Sequence, residues 1–246
     1  SERIPVMAEV AKFCRARQEL CHHARQVPQV ALLYSTAAHY RRINGLFSRD
    51  PSPLQGTLEA LLESQQSVEV LGEHRLTARM REYPLIVVPE WDYLEPKFRQ
   101  ELVSYVRKGG NLLLIGPGPA GLFREELGVQ LAGGRERKNL TLTQAQRVAS
   151  IKTASQSATL PSNARAFGTL RTSTEADSSS SPAASIARLG RGTIAATYFT
   201  FSQNYLETHD EAARQFLHDL VRELVPTPLV EVAGSKDVEV VVNRKG

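Results

Sequence analysis

The chain has 246 residues, of which 41% are hydrophobic and 23% charged, a composition typical of a soluble globular protein. Lysine and arginine exceed aspartate and glutamate by 30 − 26 = 4, but they are scattered rather than gathered into a stripe, which argues against a nucleic-acid-binding protein. No apolar run approaches the roughly 20 residues of a membrane-spanning helix, so we expect no membrane partner.

The amino-terminal segment has a helical pattern. Residues 6–20 repeat apolar side chains at intervals of three and four, among them Val10, Phe13 and Cys14, which predicts an amphipathic helix that docks on another surface. Cys14 and Cys21 share a face of this helix but are too far apart to form a disulfide, and we expect two buried free thiols. Because the sequence lacks an initiating methionine and ends in a strand-like apolar run, we interpret it as a piece of a longer protein.

Strands and helices alternate through the next part of the chain. Such alternation predicts a parallel sheet with helices on both faces. The predicted strands are 29–35, 68–72, 84–90 and 111–116, and the predicted helices are 52–66, 76–83 and 95–110.

The pattern changes after this alternation. Residues 133–202 are rich in Thr, Ser, Val and Ala without a helical stripe, which predicts short strands and hairpins. A final helix is predicted near 208–224, and Pro226 and Pro228 indicate a linker before a truncated strand.

Candidate site residues follow the predicted strands, because ligands of open α/β sheets gather at the carboxyl ends of the strands. We assign them to a partner interface or a substrate cleft: His39, Trp91, Asp92, Tyr93 and Tyr205. Trp91 is the single tryptophan, and two interpretations stay open for it. It either stacks on a sugar ring or a partner, or is wedged beneath the following helix for stability.

The segment NLLLIGPGPAGLF, residues 111–123, has the outline of a nucleophile elbow, in which a Ser or Cys sits on a tight turn between strand and helix. Neither residue type occurs in the turn, where Gly118, Pro119 and Ala120 stand instead. We therefore interpret these three residues as a vestigial elbow and expect no acyl-transfer chemistry.

Other chemistries find little support. Adjacent helical residues such as His22 and His23 do not converge on a metal, and no ligand cluster accompanies them, so no metal is predicted. No phosphate-binding glycine motif is present, and no cofactor is predicted. Glu90 and Asp92 could act as paired carboxylates of a glycosidase, but two acids flanking a tryptophan more often form a loop with one buried aromatic residue.

Four segments in this order, VALLYS, LIVVPEWDYL, YVRKGGNLLLIGP and RLGRGTIAATYF, resemble the class I glutamine-amidotransferase-like fold. The resemblance covers residues 29–225 and implies a flavodoxin-like three-layer α/β sandwich with a mainly parallel central sheet and extra β-hairpins. The sequence is most similar to the non-catalytic version found in microbial glycoside hydrolases. In β-galactosidases of that type, a catalytic barrel precedes this trimerisation domain and a small β-sandwich follows it.

The resemblance implies three segments: the closing helix of a preceding barrel (1–28), the amidotransferase-like domain (29–225), and a linker with the first strand of a β domain (226–246). It implies a non-catalytic accessory domain that supports oligomerisation and shapes the substrate cleft of its barrel. The expected partners are the barrel, the β domain, further copies of the chain and carbohydrate. The alternative is a free-standing sugar-utilisation enzyme of the ThuA type or a sugar-binding protein, and the sugar and the compartment stay open.

Overall fold

The computed structural model describes residues 3–42, 52–172, 180–232 and 236–245. Its helices are α1 (Arg3–Cys21), α2 (Thr36–Arg42), α3 (Ser52–Glu63), α4 (Glu73–Arg79), α5 (Pro96–Arg107), α6 (Pro117–Leu122), α7 (Arg124–Leu127), α8 (Ser202–Thr208) and α9 (Glu211–Leu224), with a 3₁₀ turn at Met80–Glu82. Its strands are β1 (Arg25–Gln26), β2 (Val30–Tyr34), β3 (Val68–Gly72), β4 (Leu85–Val88), β5 (Asn111–Leu114), β6 (Gln130–Ala132), β7 (Arg137–Gln144), β8 (Arg147–Ala154), β9 (Ser157–Thr159), β10 (Ala164–Thr172), β11 (Ser181–Leu189), β12 (Gly192–Thr197) and β13 (Asn243–Arg244).

Nine strands form the central sheet in the order β3-β2-β4-β5-β12-β11-β10-β7-β8. The pairs from β3 to β12 are parallel, and the pairs from β12 to β8 are antiparallel. The predicted mainly parallel sheet is therefore corrected to a mixed one. The predicted hairpins do form, but they extend the main sheet because β12 pairs with β5 on one side and with β11 on the other.

Helices cover both faces of the parallel strands. Alternate residues of β2 and β4 point to opposite faces, as the two-residue period of a strand requires. The four residues from Val30 to Leu33 and the four from Leu85 to Val88 are all buried. One face packs against α3, α8 and α9, and the other against α2, α4, α5, α6 and α7. The long apolar runs seen in the sequence reflect this burial on both faces.

The approach of α3 to α8 depends on a glycine. A side chain at Gly56 would collide with the backbone of Ser202 in α8. The Ser202 hydroxyl lies 2.7 Å from the hydroxyl of Thr57 and donates to the carbonyl of Pro53 at 2.8 Å. The contact therefore joins α8, which follows β12, to α3, which precedes β3.

The amino-terminal helix extends over the predicted segment but is not buried. Residues from Ile4 to Cys21 are exposed, including Phe13 at 57%. Cys14 and Cys21 are free and exposed, so the expectation of buried thiols is wrong. The predicted strand near the carboxyl terminus is limited to β13, which pairs with β1. Whether these segments belong to neighbouring domains stays a prediction.

Candidate functional site

The loops that follow β2 and β4 lie side by side at the carboxyl end of the parallel strands. From β2 the chain continues to β3 on one side, and from β3 it crosses back to β4 on the other side of β2. Ligands of open α/β sheets bind at such a reversal of strand order, because the two connections leave a crevice between them. Most of the predicted site residues lie here.

Trp91 is buried beneath these two loops. Its side chain is 1% exposed, and its indole N–H donates to the Leu33 carbonyl at 2.8 Å. The Tyr34 ring meets it edge-on at 6.0 Å between ring centroids. A ring with both faces covered cannot stack on a sugar, so this placement favours the structural interpretation of Trp91.

Four exposed or half-buried residues lie above Trp91, and we call them the aromatic ledge: His39, Tyr40, Arg41 and Tyr93. The His39 ring lies 5.5 Å from the Tyr34 ring and 6.1 Å from the Tyr40 ring. The Arg41 guanidinium carbon lies 3.4 Å from the centre of the Tyr93 ring, a cation–π contact between α2 and the loop after β4. The ledge therefore combines aromatic faces with one guanidinium group.

Tyr93 is held in place by a second contact. Its hydroxyl donates to the Glu95 carboxylate at 2.9 Å, and this hydrogen bond raises the pKa of Tyr93. The ring is therefore fixed from both ends, at its face by Arg41 and at its hydroxyl by Glu95. A pre-fixed aromatic ring loses little conformational entropy on binding a partner, which suits a contact surface.

A carboxylate occupies the loop after β2. Glu73, the first residue of α4, accepts hydrogen bonds from the Ser35 hydroxyl at 2.5 Å and from the Thr36 amide and hydroxyl at 3.1 and 3.0 Å. Burial raises the pKa of Glu73, but these hydrogen bonds outweigh it and hold the pKa below its ordinary value. The donors that could have bound a ligand's anionic group are thus engaged by the protein's own carboxylate.

The turn after β5 has its unusual backbone at Gly116, not at the predicted vestigial residues. Gly116 has φ 95° and ψ 162°, a region that is essentially restricted to glycine. Gly118, Pro119 and Ala120 follow inside helix α6, where Pro119 and Ala120 are buried. Neither the turn nor the helix presents a hydroxyl or a thiol at this point.

The space beside Gly116 is filled by Glu90. A side-chain carbon added at Gly116 would lie 3.3 Å from Cγ of Glu90. The Glu90 carboxylate accepts the amide N–H groups of Phe201 and Ser202, each at 2.6 Å, at the start of α8. Negative charge is favourable there, because these amides have no partner within the helix. Glu90 thus joins β4 to α8 where a nucleophile would need room.

Asp92 lies against the elbow helix. It is exposed, and its Cα and Cβ atoms are each 3.4 Å from the position of a side-chain carbon on Gly118. The Arg135 guanidinium lies 3.7 Å from the same position and donates to the Pro117 carbonyl at 3.3 Å. This part of the site thus places one carboxylate and one guanidinium group around the start of α6.

Tyr205 is separated from the other candidates. It is fully buried on the opposite face of the sheet, stacked on Phe201 at 5.3 Å between ring centroids. Its hydroxyl donates to the Glu63 carboxylate. Burial and this carboxylate both raise the pKa of Tyr205. The structure therefore brings His39, Trp91, Asp92 and Tyr93 to the carboxyl end of the parallel strands and leaves Tyr205 in the core.

Several site residues were missed from the sequence. Tyr40 and Arg41 directly follow the predicted His39, and Tyr40 ends the loop 34–40 that the strand-end rule selects, but neither was chosen as a site residue. Glu73 directly follows a correctly placed strand, so the same rule could have found it. Arg135 comes from the turn before β7, and nothing in the sequence connects it to the elbow.

Two classes of feature are not seen in the parts of the chain that the structure describes. Within residues 3–42, 52–172, 180–232 and 236–245, no group of three or more His, Cys, Asp or Glu side chains could hold a metal ion. None of the helices in those ranges combines the length and apolarity needed to cross a bilayer.

Sequence comparison and structural comparison give different results. No protein-family model matches the chain, and no curated protein matches it in sequence. Solved structures do match it. A catalytic mutant of a GH42 beta-galactosidase from G. stearothermophilus superposes with a TM-score of 0.73 at 18% identity, over 99% of this chain and 36% of the enzyme.

Two other solved structures extend this likeness. An alpha-L-fucosidase isoenzyme from Paenibacillus thiaminolyticus gives a TM-score of 0.68 at 14% identity, over 87% of this chain and 35% of that enzyme. A cytoplasmic protein from Salmonella typhimurium LT2 gives a TM-score of 0.55 at 13% identity, over 79% of this chain and 99% of that protein. The chain spans about a third of the two glycosidases, and it shares the fold of a portion of each.

Proposed function

We propose that the chain is a non-catalytic accessory domain of a glycoside hydrolase, which packs against a catalytic barrel, supports self-association and helps to shape the substrate cleft. The observation that carries this proposal is the GH42 beta-galactosidase match, which takes in 99% of this chain but 36% of the enzyme. A whole chain that corresponds to a minor part of an enzyme fits a domain that works beside the part that performs the chemistry.

The assignment to the class I glutamine-amidotransferase-like, flavodoxin-like group is part of this proposal. Counted among themselves, the five parallel strands follow the order 2-1-3-4-5, which is the flavodoxin-like order. The four antiparallel strands are then an addition at the fifth strand. The strand-to-helix turn at Gly116 lies where such folds carry an elbow.

The geometry of the elbow supports a non-catalytic role for this chain. A nucleophile needs a thiol or hydroxyl, a base within reach and donors for the oxyanion. Here the turn holds Gly116, and Glu90 fills the space beside it and accepts hydrogen bonds from the amides of Phe201 and Ser202. We therefore expect the chain to act by contact rather than by covalent chemistry.

Two surfaces are suited to such contact. The aromatic ledge presents Tyr40 with its side chain 73% exposed and the fixed Arg41–Tyr93 pair, and tyrosine and arginine are enriched among the residues that dominate binding energies. Helix α1 presents Val10 and Phe13 to solvent. We assign α1 to the barrel and the ledge to the cleft or to a second copy.

The ledge can be tested in the full-length product of the reading frame that contains this sequence. Replacing Tyr40 and Arg41 by alanine should weaken assembly or glycosidase turnover of that product, while the isolated chain nearly keeps its melting temperature, because both residues are exposed. The matched control is Val148→Ala, a change of an exposed residue on β8, remote from the ledge. Unchanged assembly and turnover in the double variant would rule out the ledge as the contact surface.

The expected lack of catalytic activity can be tested on the isolated chain. With no nucleophile on the elbow, it should hydrolyse neither chromogenic nitrophenyl glycosides nor glutamine, and a glutamine-analogue inhibitor should not label it. Covalent labelling, detected by mass spectrometry, would contradict the proposal.

A second candidate is a free-standing sugar-utilisation protein of the ThuA type or a sugar-binding protein. The cytoplasmic Salmonella protein favours it, because 99% of that chain is matched and the fold therefore also occurs in a protein of this size. The reading frame upstream of Ser1 separates the two candidates. A barrel-coding region supports the accessory domain, and an immediate start codon supports the free-standing protein.

A further inference from the structure

Two turns at the amino end of the parallel strands bring four basic residues together. One turn leads from α5 into β5 and begins with Arg107 and Lys108, and the other leads from β11 into β12 and carries Arg188 and Arg191. We call these four residues the basic corner. It lies at the opposite end of the strands from the aromatic ledge, which follows their carboxyl ends.

Hydrogen bonds hold the two turns of the basic corner against each other. The Arg191 amide donates to the Arg107 carbonyl at 3.1 Å, and the Arg191 guanidinium donates to the Lys108 carbonyl at 3.0 Å. The Arg188 guanidinium donates to the Arg191 carbonyl at 2.6 Å. A side chain at Gly190 would collide with the Arg107 backbone, so glycine permits this close approach. The fold thus gathers cations from two distant parts of the sequence.

The four positive charges of the corner are exposed and have no acidic partner. Every one of the four residues is exposed, and none of them forms an ion pair with a carboxylate of the described ranges 3–42, 52–172, 180–232 and 236–245. The macrodipole of α5 supplies only about half an elementary negative charge at its carboxyl end, which is too little to balance four cations. Because unbalanced like charges repel one another, the corner favours a bound anion.

Two concave surfaces flank the corner and share Lys108. A cavity of about 930 Å³ lies between the 3₁₀ turn and the end of α5, and one of about 500 Å³ lies between α5 and α7. Carboxylates also line these cavities, Glu82 and Glu101 in the larger and Glu126 in the smaller. The negative charge of a ligand is therefore favoured at the corner between the cavities rather than inside either of them.

The donors of the corner suit carboxylates on an extended chain better than a phosphate group or a nucleic acid. Phosphate sites commonly use free backbone amides, but the amides of Gly109 and Gly110 already donate to carbonyls of α5, at 2.9 and 3.1 Å. Single-stranded nucleic acids stack their bases on exposed aromatic rings, but Tyr83 and Tyr105 of the larger cavity are 2% and 8% exposed. Guanidinium groups pair with carboxylates through two parallel hydrogen bonds. A polypeptide can place carboxylates on the corner while its neighbouring side chains enter the cavities.

We propose that the basic corner and its two flanking cavities bind an acidic, extended segment of a partner protein. This surface is distinct from the aromatic ledge, and the proposal does not depend on the accessory function. A chain without a barrel partner can still bind such a segment here, and a chain that packs on a barrel can still fail to bind one.

The experiment is a titration of the full chain against a fluorescein-labelled peptide of alternating glutamate and glycine, followed by fluorescence anisotropy. We expect saturable binding that weakens as sodium chloride is raised, because salt screens the interaction of exposed charges. The same peptide with glutamine in place of glutamate should not bind. A labelled oligouridylate and unlabelled sodium phosphate are tested in parallel as probes for nucleic acid and for phosphate.

The double variant Arg107→Gln with Lys108→Gln should weaken peptide binding about three- to tenfold at low salt, the loss expected for two exposed charge pairs. Its melting temperature should stay nearly unchanged, because both side chains are exposed. The exchange Arg107→Lys with Lys108→Arg keeps both charges and should retain binding. The matched control is Arg75→Gln with Lys97→Gln, which removes two charges from exposed residues that line neither cavity. It should bind the peptide nearly as tightly as the wild type.

Three results would overturn the proposal. The absence of saturable binding would exclude acidic segments as partners of the corner. Equal weakening in the corner variant and the matched control would show that the peptide responds to overall charge. Tighter binding of the oligouridylate, or displacement of the peptide by phosphate but not by chloride of equal ionic strength, would make the corner a site for nucleic acid or phosphate. Activity and assembly of a full-length parent do not enter these measurements.

Discussion

At the scale of single residues, Trp91 shows how a side chain at the carboxyl end of a strand can serve stability. Its burial and its hydrogen bond to the Leu33 carbonyl place it in the core of one face. The sequence left two interpretations open because tryptophan suits both a buried position and an exposed contact. The chain's approach to Leu33, 58 residues earlier, is what decides between them.

Replacement of Trp91 by alanine should therefore destabilise the isolated chain by about 3–5 kcal/mol, as for other large buried aromatic residues. The expected observation is a large fall in the midpoint of urea unfolding. Tyr40→Ala serves as the control, because this aromatic side chain is 73% exposed and its loss should leave the midpoint nearly unchanged. Equal midpoints for the two variants would contradict the buried, structural role.

Gly116 provides a second test at this scale. Alanine there should destabilise the chain by about 1–3 kcal/mol through backbone strain, with an added cost from the contact with Glu90. Gly133→Ala is the matched control, since Gly133 also has a positive φ, 84°, but a side-chain carbon there meets nothing within 4 Å. We expect the larger fall in midpoint for Gly116→Ala, because it combines a backbone region essentially restricted to glycine with the contact with Glu90. A Gly116→Ala chain no less stable than the Gly133→Ala chain would show that Glu90 does not fill the space beside residue 116.

At the scale of elements, Glu73 fastens the start of α4 to the loop between β2 and α2. The pKa of its carboxyl is lower in the folded chain than its ordinary value of 4.5. Its contribution to the free energy of unfolding is therefore complete above that value and is lost as the pH falls through the folded pKa.

The variant Glu73→Gln should flatten the dependence of stability on pH below about pH 5, because the group that binds the proton is gone. The measurement is the free energy of urea unfolding at a series of pH values for both chains. Glu125→Gln, a change of an exposed acid on α7, controls for the loss of one charge. Parallel curves for wild type and Glu73→Gln would mean that the hydrogen bonds to Ser35 and Thr36 do not stabilise the charged form.

Helix α1 is an element whose apolar side faces solvent. Exposed apolar stripes promote association, so the isolated chain should self-associate in a concentration-dependent way, measured by sedimentation velocity with reductant present. Replacing Val10 and Phe13 by serine should shift it toward monomer without changing its melting temperature. The control, Lys12→Ser with Glu19→Ser, leaves the net charge unchanged on the polar side of the helix. A wild-type chain that is strictly monomeric would contradict this expectation.

The order of helices and strands along the chain could be predicted from the sequence more fully than the way in which they pair and pack. The strand at 68–72 was placed to the residue, and the helices at 52–66 and 95–110 were placed but begin or end up to three residues away. The hydrophobic periodicity of the sequence predicts the positions of helices and strands because it reflects which side of each element is buried. The helix predicted at 76–83 is instead α4, which begins at Glu73, followed by the 3₁₀ turn at Met80–Glu82. The short helices α2 and α8 were missed, since segments of seven residues give too few turns for a period to appear.

At the scale of the whole molecule, the junction at β12 could not be foreseen. Ile194 pairs with Leu112 of β5 on one side and with Ala187 of β11 on the other, so a single strand belongs to both halves of the sheet. A short apolar strand looks the same whether its second neighbour is parallel, antiparallel or missing. The sequence therefore indicated hairpins without revealing that they continue the main sheet.

This continuity should make unfolding cooperative. The fluorescence of Trp91 reports on the parallel half, and the infrared amide I band of β-sheet reports on both halves without a contribution from α1. The two thermal transitions should coincide, as expected for a single cooperative unit. Separate transitions would show that β12 is a boundary between independently folding parts.

The two outermost strands, β3 and β8, have a consequence for how copies of the chain can meet. The Val68 carbonyl on β3 accepts a hydrogen bond from Gln26, and the Lys152 amide on β8 donates to Asn204 of α8 at 2.9 Å. β8 also carries charged side chains at Arg147 and Lys152, which discourage the approach of another strand. These features disfavour growth of the central sheet from one molecule into the next at both margins. We therefore expect assembly of this chain to rely on side chains of helices and loops, where point substitutions can weaken it without disturbing the protomer.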